Sequence, residues 1–186
     1  VDCEVGQPAV SFRETLRSKV EYDYTHKKQS GGSGQYGRVI GHMEPLDPSE
    51  IKLGFEFENH MVGNAIPPEF LPAVEKGFHD SLAKGSLTGH PVSGVKVVLT
   101  DGASHAVDSN ELAFKSAATG AFRQAFAKGK PAVLEPVMKV VVEAPAEFQG
   151  TIVGQLNQRK GNVAHVDTKD GAVVIEAEVP LDDMFG

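Results

Sequence analysis

The chain has 186 residues, 40% of them hydrophobic and 23% charged, with a formal net charge of −7. That length and apolar fraction allow one large domain or two small ones, each with its own core, and the acidic balance excludes a protein that coats nucleic acid non-specifically. No run approaches the roughly 18 apolar residues of a membrane helix, so a soluble protein is expected, and the single Cys3 excludes a disulfide framework or a multi-cysteine metal site.

The charge is uneven. From Arg13 to Arg38 there are six basic residues against three acidic ones, a local balance of +3, whereas Glu143–Asp183 carries eight acids against Arg159, Lys160 and Lys169. Any nucleic-acid contact is therefore expected on the N-terminal part. The start at Val1-Asp2-Cys3, without an initiator methionine or a leader pattern, reads as a processed chain or an excised fragment.

In chain order, Ala9–Leu16 alternates as a first strand. Val20–Lys28 and Gln35–Met43 read as a hairpin around the glycine-dense HKKQSGGSGQYGR, a long projecting tip with Lys27, Lys28 and Arg38 at its base. EPLDPSEIK is a turn and Leu53–Asn59 a strand with one buried face. Pro67-Pro68-Glu69 opens a helix carrying Phe70, Leu71, Val74, Phe78 and Leu82, with Gly85 as its C′ stop. Val92–Thr100 is a β-branched strand running into a tight turn at Asp101–His105. Asp108 reads as an N-cap with Glu111 completing a capping box, before a helix with Phe114, Ala118, Ala121, Phe122 and Ala125 on its apolar face and Gly129 at its end. Gly120 inside it is read as a close-packing site.

Gly129-Lys130-Pro131 marks a boundary, although Ala132–Glu135 could still pair with the first part. The remainder reads strand (137–143), helix (145–160, with Phe148, Ile152 and Leu156 aligned), strand (162–168) and strand (172–179), with Asp170-Gly171 as a hairpin turn. This β-α-β-β order predicts a ferredoxin-like unit without its last helix and strand, and exposed apolar surface where they would pack.

No catalytic constellation stands out. The glycine loop leads into strand-like QYGRVIGHM and has no GK[ST], which argues against phosphate cradling. The seven histidines show no metal-ligand spacing, no nucleophile motif is present, and Asp182-Asp183 reads as a helix start on solvated surface. Two turn features remain. The loop can be a plain flexible hairpin or a contact site, with Gln35 and Tyr36 suited to hydrogen-bond and stack on RNA; His105 can be simply an exposed turn histidine.

At these residues the chain resembles translation elongation factor G. FRETL, QSGGSGQYGRV, IPPEFLPAVEKG, LTDGASHAVDSNELAFK, LEPVMKVVVEAP and VPLDDMFG follow in collinear order over essentially the whole chain. DYTHKKQSGG and EPLDPSE resemble the mitochondrial form more than the chloroplast or common bacterial forms.

The resemblance implies an α+β protein. Residues 1–134 would be the family's fourth domain, similar to the second domain of ribosomal protein S5, and 135–186 a partial, ferredoxin-like fifth domain. Catalysis and cofactors are not expected in this stretch, GTP and Mg belonging to the GTP-binding domain of the parent. In this family the fourth domain enters the decoding site behind the A-site tRNA and helps move tRNA and mRNA.

Carried over by position, Gln29, Ser30, Gly31, Gly32, Ser33, Gly34, Gln35, Tyr36 and Gly37 match the first tip loop, which contacts the codon–anticodon minor groove and small-subunit rRNA. His105 matches the histidine of the second, near the anticodon stem. Ser33 stands where a basic residue is often found. Gly150–Arg159 would face large-subunit rRNA. The implied partner is the ribosome, with no membrane, for a monomer in the mitochondrial matrix or, alternatively, bacterial cytoplasm. A ribosome-recycling paralogue, an S5-superfamily small-molecule kinase and a free-standing RNA-binding module are the competing readings.

Overall fold

Period-two patterning carries much of the chain into strands, and helical stripes pack against them. The computed structural model describes residues 3–4, 6, 10–47 and 54–184, and it divides into two compact units, one of Arg13–Leu134 and one built on the chain from Glu135 onward. Among the described residues no helix is long and apolar enough to cross a membrane.

The first unit opens with β1 (Arg13–Leu16), shorter than expected; Ala9 lies outside the described residues and Val10–Phe12 take no regular structure. The main sheet comprises β2 (Val20–Ser30), β3 (Ser33–Pro45), β4 (Phe55–Asn59) and β5 (Val95–Ala103), in the order β2-β3-β5-β4. The β2–β3 and β3–β5 pairs are antiparallel, while β4 lies parallel to β5 through a crossover containing α1 (Leu71–Ser81). Leu53 and residues 48–52 of the EPLDPSEIK turn fall outside the described residues, while Glu44 and Pro45 of it end β3. A second helix, α2 (Glu111–Lys128), follows β5, and β6 (Pro131–Leu134) returns to pair antiparallel with β1.

One core joins these elements. Tyr22, Val39, Met43, Val95, Val97 and Leu99 from the sheet meet Val74, Phe78, Phe114, Ala118, Phe122 and Phe126 from the helices, all buried. The small residues set how closely the layers approach. A Cβ at Gly41, beside the β-bulge at Ile40/Gly41, would overlap the Val98 carbonyl and the Tyr22 ring, and one at Gly120 would overlap Tyr24. The buried Tyr22 hydroxyl donates to the Val98 carbonyl at 2.9 Å, so the tyrosine crosses the space that glycine leaves.

Several boundaries differ from the sequence expectation for identifiable reasons. A 3-10 turn (Pro68–Phe70) precedes α1, whose C-cap is Leu82 rather than a glycine at position 85. Gly85 instead makes room for another side chain, since a Cβ there would collide with the Glu14 carboxylate. β5 runs on through Asp101 and Gly102 to Ala103, because β3 supplies pairing partners that far. The N-cap of α2 is Asn110, whose side chain accepts from Ala113 N at 2.8 Å, so Asp108 and Glu111 form no capping box.

The second unit consists of β7 (Val137–Pro145), α3 (Gln149–Gln158), β8 (Asn162–Lys169) and β9 (Ala172–Pro180), with sheet order β7-β9-β8. Asp170 and Gly171, both at positive φ, turn β8 into β9. Val173, Ile175, Ala177 and Val179 on one face of β9 pack with Leu156. The end of α3 is a Schellman pattern: Gly161 N bonds Leu156 O, Lys160 N bonds Asn157 O, and the left-handed residue is Lys160 rather than Gly161.

Phe148 does not share the buried stripe with Leu156. It belongs to a 3-10 turn (Ala146–Phe148) whose tighter winding rotates it away, and it is 48% exposed. Met138 pairs with Val179 and Val166 with Ile175, so both lie on the helix-bearing face, yet they are 43% and 36% exposed. One helix covers only part of that face. The last turn, Leu181–Met184, is 3-10, and Asp183 there accepts from Arg159 through its carbonyl.

Candidate nucleic-acid interface

The glycine-dense segment is not a long loop. β2 and β3 stay paired in continuous register to Ser30↔Ser33, leaving only Gly31 and Gly32 as the turn. Both have positive φ, 50° and 133°, as a two-residue hairpin turn of the primed type requires, and no atom lies near where a Cβ would stand. The tip is thus a stiff ribbon with a bare backbone end.

Its flanks are held by the segment that links β5 to α2. The Asp108 carbonyl accepts from Tyr36 N at 2.9 Å, and the Ser109 hydroxyl donates to the Tyr36 carbonyl at 2.8 Å. The same hydroxyl accepts from His105 N at 2.7 Å, and Ser109 N donates to the His105 carbonyl. The Tyr36 and His105 rings lie 6.3 Å apart. Gly34 lies against the Asp108 carboxylate and Gly37 against the first turn of α2, where an added Cβ would press on its neighbours. Two distant stretches of sequence therefore end at one place.

Lys27, Gln29, Gln35, Tyr36, His105 and Asp108 surround a cavity of about 150 Å³ there. His26 Nε2 and Gln35 Oε1 are 2.9 Å apart, which orients the amide. His105 Nδ1 is 3.5 Å from the Asp108 carboxylate. Gln29 and Ser33 are exposed beside the turn, and Ser30 is placed by its backbone in β2.

The basic flank is smaller than the sequence suggests. Arg38 grips Asp23 through both ends of its guanidinium, at 2.8 and 2.6 Å, so it is not a free cation. That hydrogen-bonded pairing, rather than burial, holds the Asp23 carboxyl below its ordinary range. Lys27 and Lys28 are exposed, and among the described residues neither has an ion pair. Adjacent strand residues face opposite ways, so they put one charge on each side of the ribbon.

The turn joins two strands, so the convergent amides of a helix N-terminus, which a phosphate cradle needs, do not form at it. Among the described residues no cluster of His, Cys, Asp and Glu could hold a metal ion. Sequence alone does not single out Asp108, Ser109 and His26 for the site; the DSN segment reads as a cap, which hides its bonds to Tyr36.

A two-unit α+β segment whose first unit presents this paired tip is the class defined here. A solved crystal structure of a Thermus thermophilus protein has the same architecture, with a TM-score of 0.86 and 37% identity over 97% of this chain and 26% of that one. The family model "Elongation factor G, domain IV" matches residues 8–130, and "Elongation factor G C-terminus" matches 132–186. The chain belongs to the elongation factor G family.

It is 57% identical over 186 residues to "Elongation factor G-1, mitochondrial" of Arabidopsis thaliana, covering 100% of this chain and 24% of that protein. It is 54% identical over 187 residues to "Elongation factor G 2" of Bdellovibrio bacteriovorus, covering 100% and 27%. Identity to "Elongation factor G 1" of Syntrophus aciditrophicus is 55% over 181 residues, covering 97% and 26%. The chain spans about a quarter of the length of these relatives.

Proposed function

We propose that this segment is the ribosome-engaging end of an elongation factor G, and that its tip promotes tRNA–mRNA translocation by entering the decoding site. The observation that carries the reading is the convergence of Gly31–Gly37 and His105 on one hydrogen-bonded ribbon end. A reader that must accept every codon has to use backbone, amides and contacts common to all base pairs. Glycine backbone, the Gln29 and Gln35 amides and the Tyr36 and His105 rings supply that chemistry, with Lys27 and Lys28 near RNA phosphates.

In this reading Arg13–Leu134 is an S5 domain 2-like unit, a description supported by its parallel β4–α1–β5 crossover. The rest is an incomplete ferredoxin-like unit, supported by the β7-β9-β8 order, with Gly150–Arg159 toward large-subunit rRNA. The segment acts as a monomer, binds no cofactor and hydrolyses nothing, GTP and Mg being handled elsewhere in the parent. The mitochondrial matrix is its proposed compartment, on the DYTHKKQSGG and EPLDPSE segments.

Full-length factor lacking Gly31–Gln35, or carrying His105→Ala, should translocate roughly tenfold more slowly, the effect of losing about 1.4 kcal/mol of barrier lowering, with ribosome-stimulated GTP hydrolysis unchanged. Unaltered translocation would overturn the proposal, and a defect confined to subunit splitting would favour the recycling paralogue. The small-molecule kinase reading is set aside because the glycine turn opens a strand.

A further inference from the structure

A cavity of about 660 Å³ lies away from the tip, where the chain leaves α1 and passes α2. Its walls include Ser81, Lys84, Ser86, Thr88, Thr119 and Arg123. Arg123 is thirteen residues beyond the Asn110 cap, on the order of 20 Å along the helix from the tip at about 1.5 Å per residue.

Cations outnumber acids on the cleft wall, where Lys84 and Arg123 stand against one carboxylate, Asp80. Lys84 and Arg123 are exposed, and among the described residues neither has an ion pair or side-chain hydrogen bond. The carboxylates are committed: Asp80, on the wall itself, pairs with Lys115 at 3.1 Å, and Glu14, fully buried, accepts from Leu87 N, Thr88 N, the Thr88 hydroxyl and His90 N at 2.8–3.2 Å. Glu14 also makes the wall rigid, since those bonds fix the 85–90 loop and Gly85 leaves no slack against it. The stem of Lys84 lies against Gly89. The cleft is therefore preformed, with two uncompensated cations on a chain of net charge −7.

We propose that this cleft is a second RNA-binding surface, in which Lys84 and Arg123 hold adjacent phosphates of an RNA backbone. A protein partner would need apolar anchors, and Phe122 is buried, leaving only Leu87, 49% exposed, to receive one. A phosphodiester chain needs charge, a guanidinium fork and clearance, which the Ser/Gly/Thr loop gives. The surface adds to the tip and does not depend on it.

The test uses the 15N-labelled chain, a short fluorescein-labelled RNA hairpin, and the double variant Lys84→Gln/Arg123→Gln. RNA should shift the Ser86, Thr88 and Gly89 amides. In the variant those shifts should vanish while RNA-induced shifts at Gly31–Gly37 persist. RNA affinity should fall about tenfold and the slope of log K against log salt should shrink by roughly 1–2, the signature of one or two lost phosphate contacts. Both side chains are exposed, and the spectrum itself reports whether the variant is folded. Unmoved loop amides, or an unchanged salt slope, would overturn the proposal. So would equal shifts from inorganic phosphate, marking a simple anion pocket, or from a poly-glutamate peptide, marking a protein partner.

Discussion

Two turns of the first unit, Gly31-Gly32 and the 85–90 loop, use glycine for opposite ends. At the hairpin tip the glycines face open space, and order comes from the ladder beneath them and from hydroxyl and carbonyl bonds to the 105–109 segment. At the 85–90 loop Gly85 is packed, and order comes from one buried carboxylate that gathers amides from along the loop. The first arrangement leaves backbone available to a partner; the second consumes it. A surface turn rich in glycine is thus a contact element only where its backbone groups are not already spent inside the fold.

The widest gap between the two should appear on removing Glu14. Glu14→Ala leaves several donors without their acceptor, and water reaching the loop offsets part of that loss, so a stability loss of about 3 kcal/mol is expected by urea denaturation. A loss under about 1 kcal/mol would mean the loop is held by other means. The tip should not respond, and its amide shifts should stay in place.

The same carboxylate gives a pH signature. Burial alone would raise its pKa, but the hydrogen bonds from Leu87, Thr88 and His90 outweigh it and lower the value below the ordinary 4.5. A depressed folded pKa contributes stability above the unfolded value, and that contribution is lost as pH falls through the folded one. Wild type should therefore lose stability more steeply below about pH 4.5 than Glu14→Gln, and parallel curves would remove the charge from the explanation.

Smaller effects belong to the tip. Ser109→Ala breaks its bonds to Tyr36 and His105 and should cost about 1 kcal/mol, seen as faster amide exchange at His105. Asn110→Ala should cost a similar amount, about 1 kcal/mol, through the lost cap. Asp23→Asn should change stability by less than about 0.5 kcal/mol, because the pair is half exposed and screened. It frees Arg38, however, so affinity for the RNA hairpin should rise; if it does not, the flank is not part of the contact surface.

Much of the architecture is legible in the sequence because it rests on periodicity. The strands from Val20 and Ala172 and the two long helices follow from alternation or from 3–4 spacing, and Gly120 reads as a packing site, as the Tyr24 ring against it bears out. The strand read at Val92–Thr100 follows from its β-branched run, although it spans Val95–Ala103. What escapes depends on long-range pairing. The hairpin reaches Ser30 and Ser33 because opposing residues bond, which local glycine content obscures. Asp108 reads as a cap because DSNE fits one, yet Asn110 takes that position while Asp108 and Ser109 bond to β3, the latter across 73 residues. Glu14 looks like an ordinary strand acid, since its amide partners lie more than 70 positions away. The glycine loop and His105 are individually visible in the residues, and only the family resemblance puts them on one tip; the bonds through Ser109 that join them are not legible.

The uninterrupted ladder from Val20↔Met43 to Ser30↔Ser33 makes the hairpin a graduated ruler. Eleven opposed pairs at about 3.4 Å each fix the height of the turn above the sheet base, on the order of 35 Å. Adding one pair would raise the turn by about 3.4 Å but move Tyr36 and Lys27 to the opposite face. Reach can therefore change without inverting the tip only in increments of two pairs, about 7 Å. A variant family built on that increment would measure how tightly the depth of the partner's site is specified.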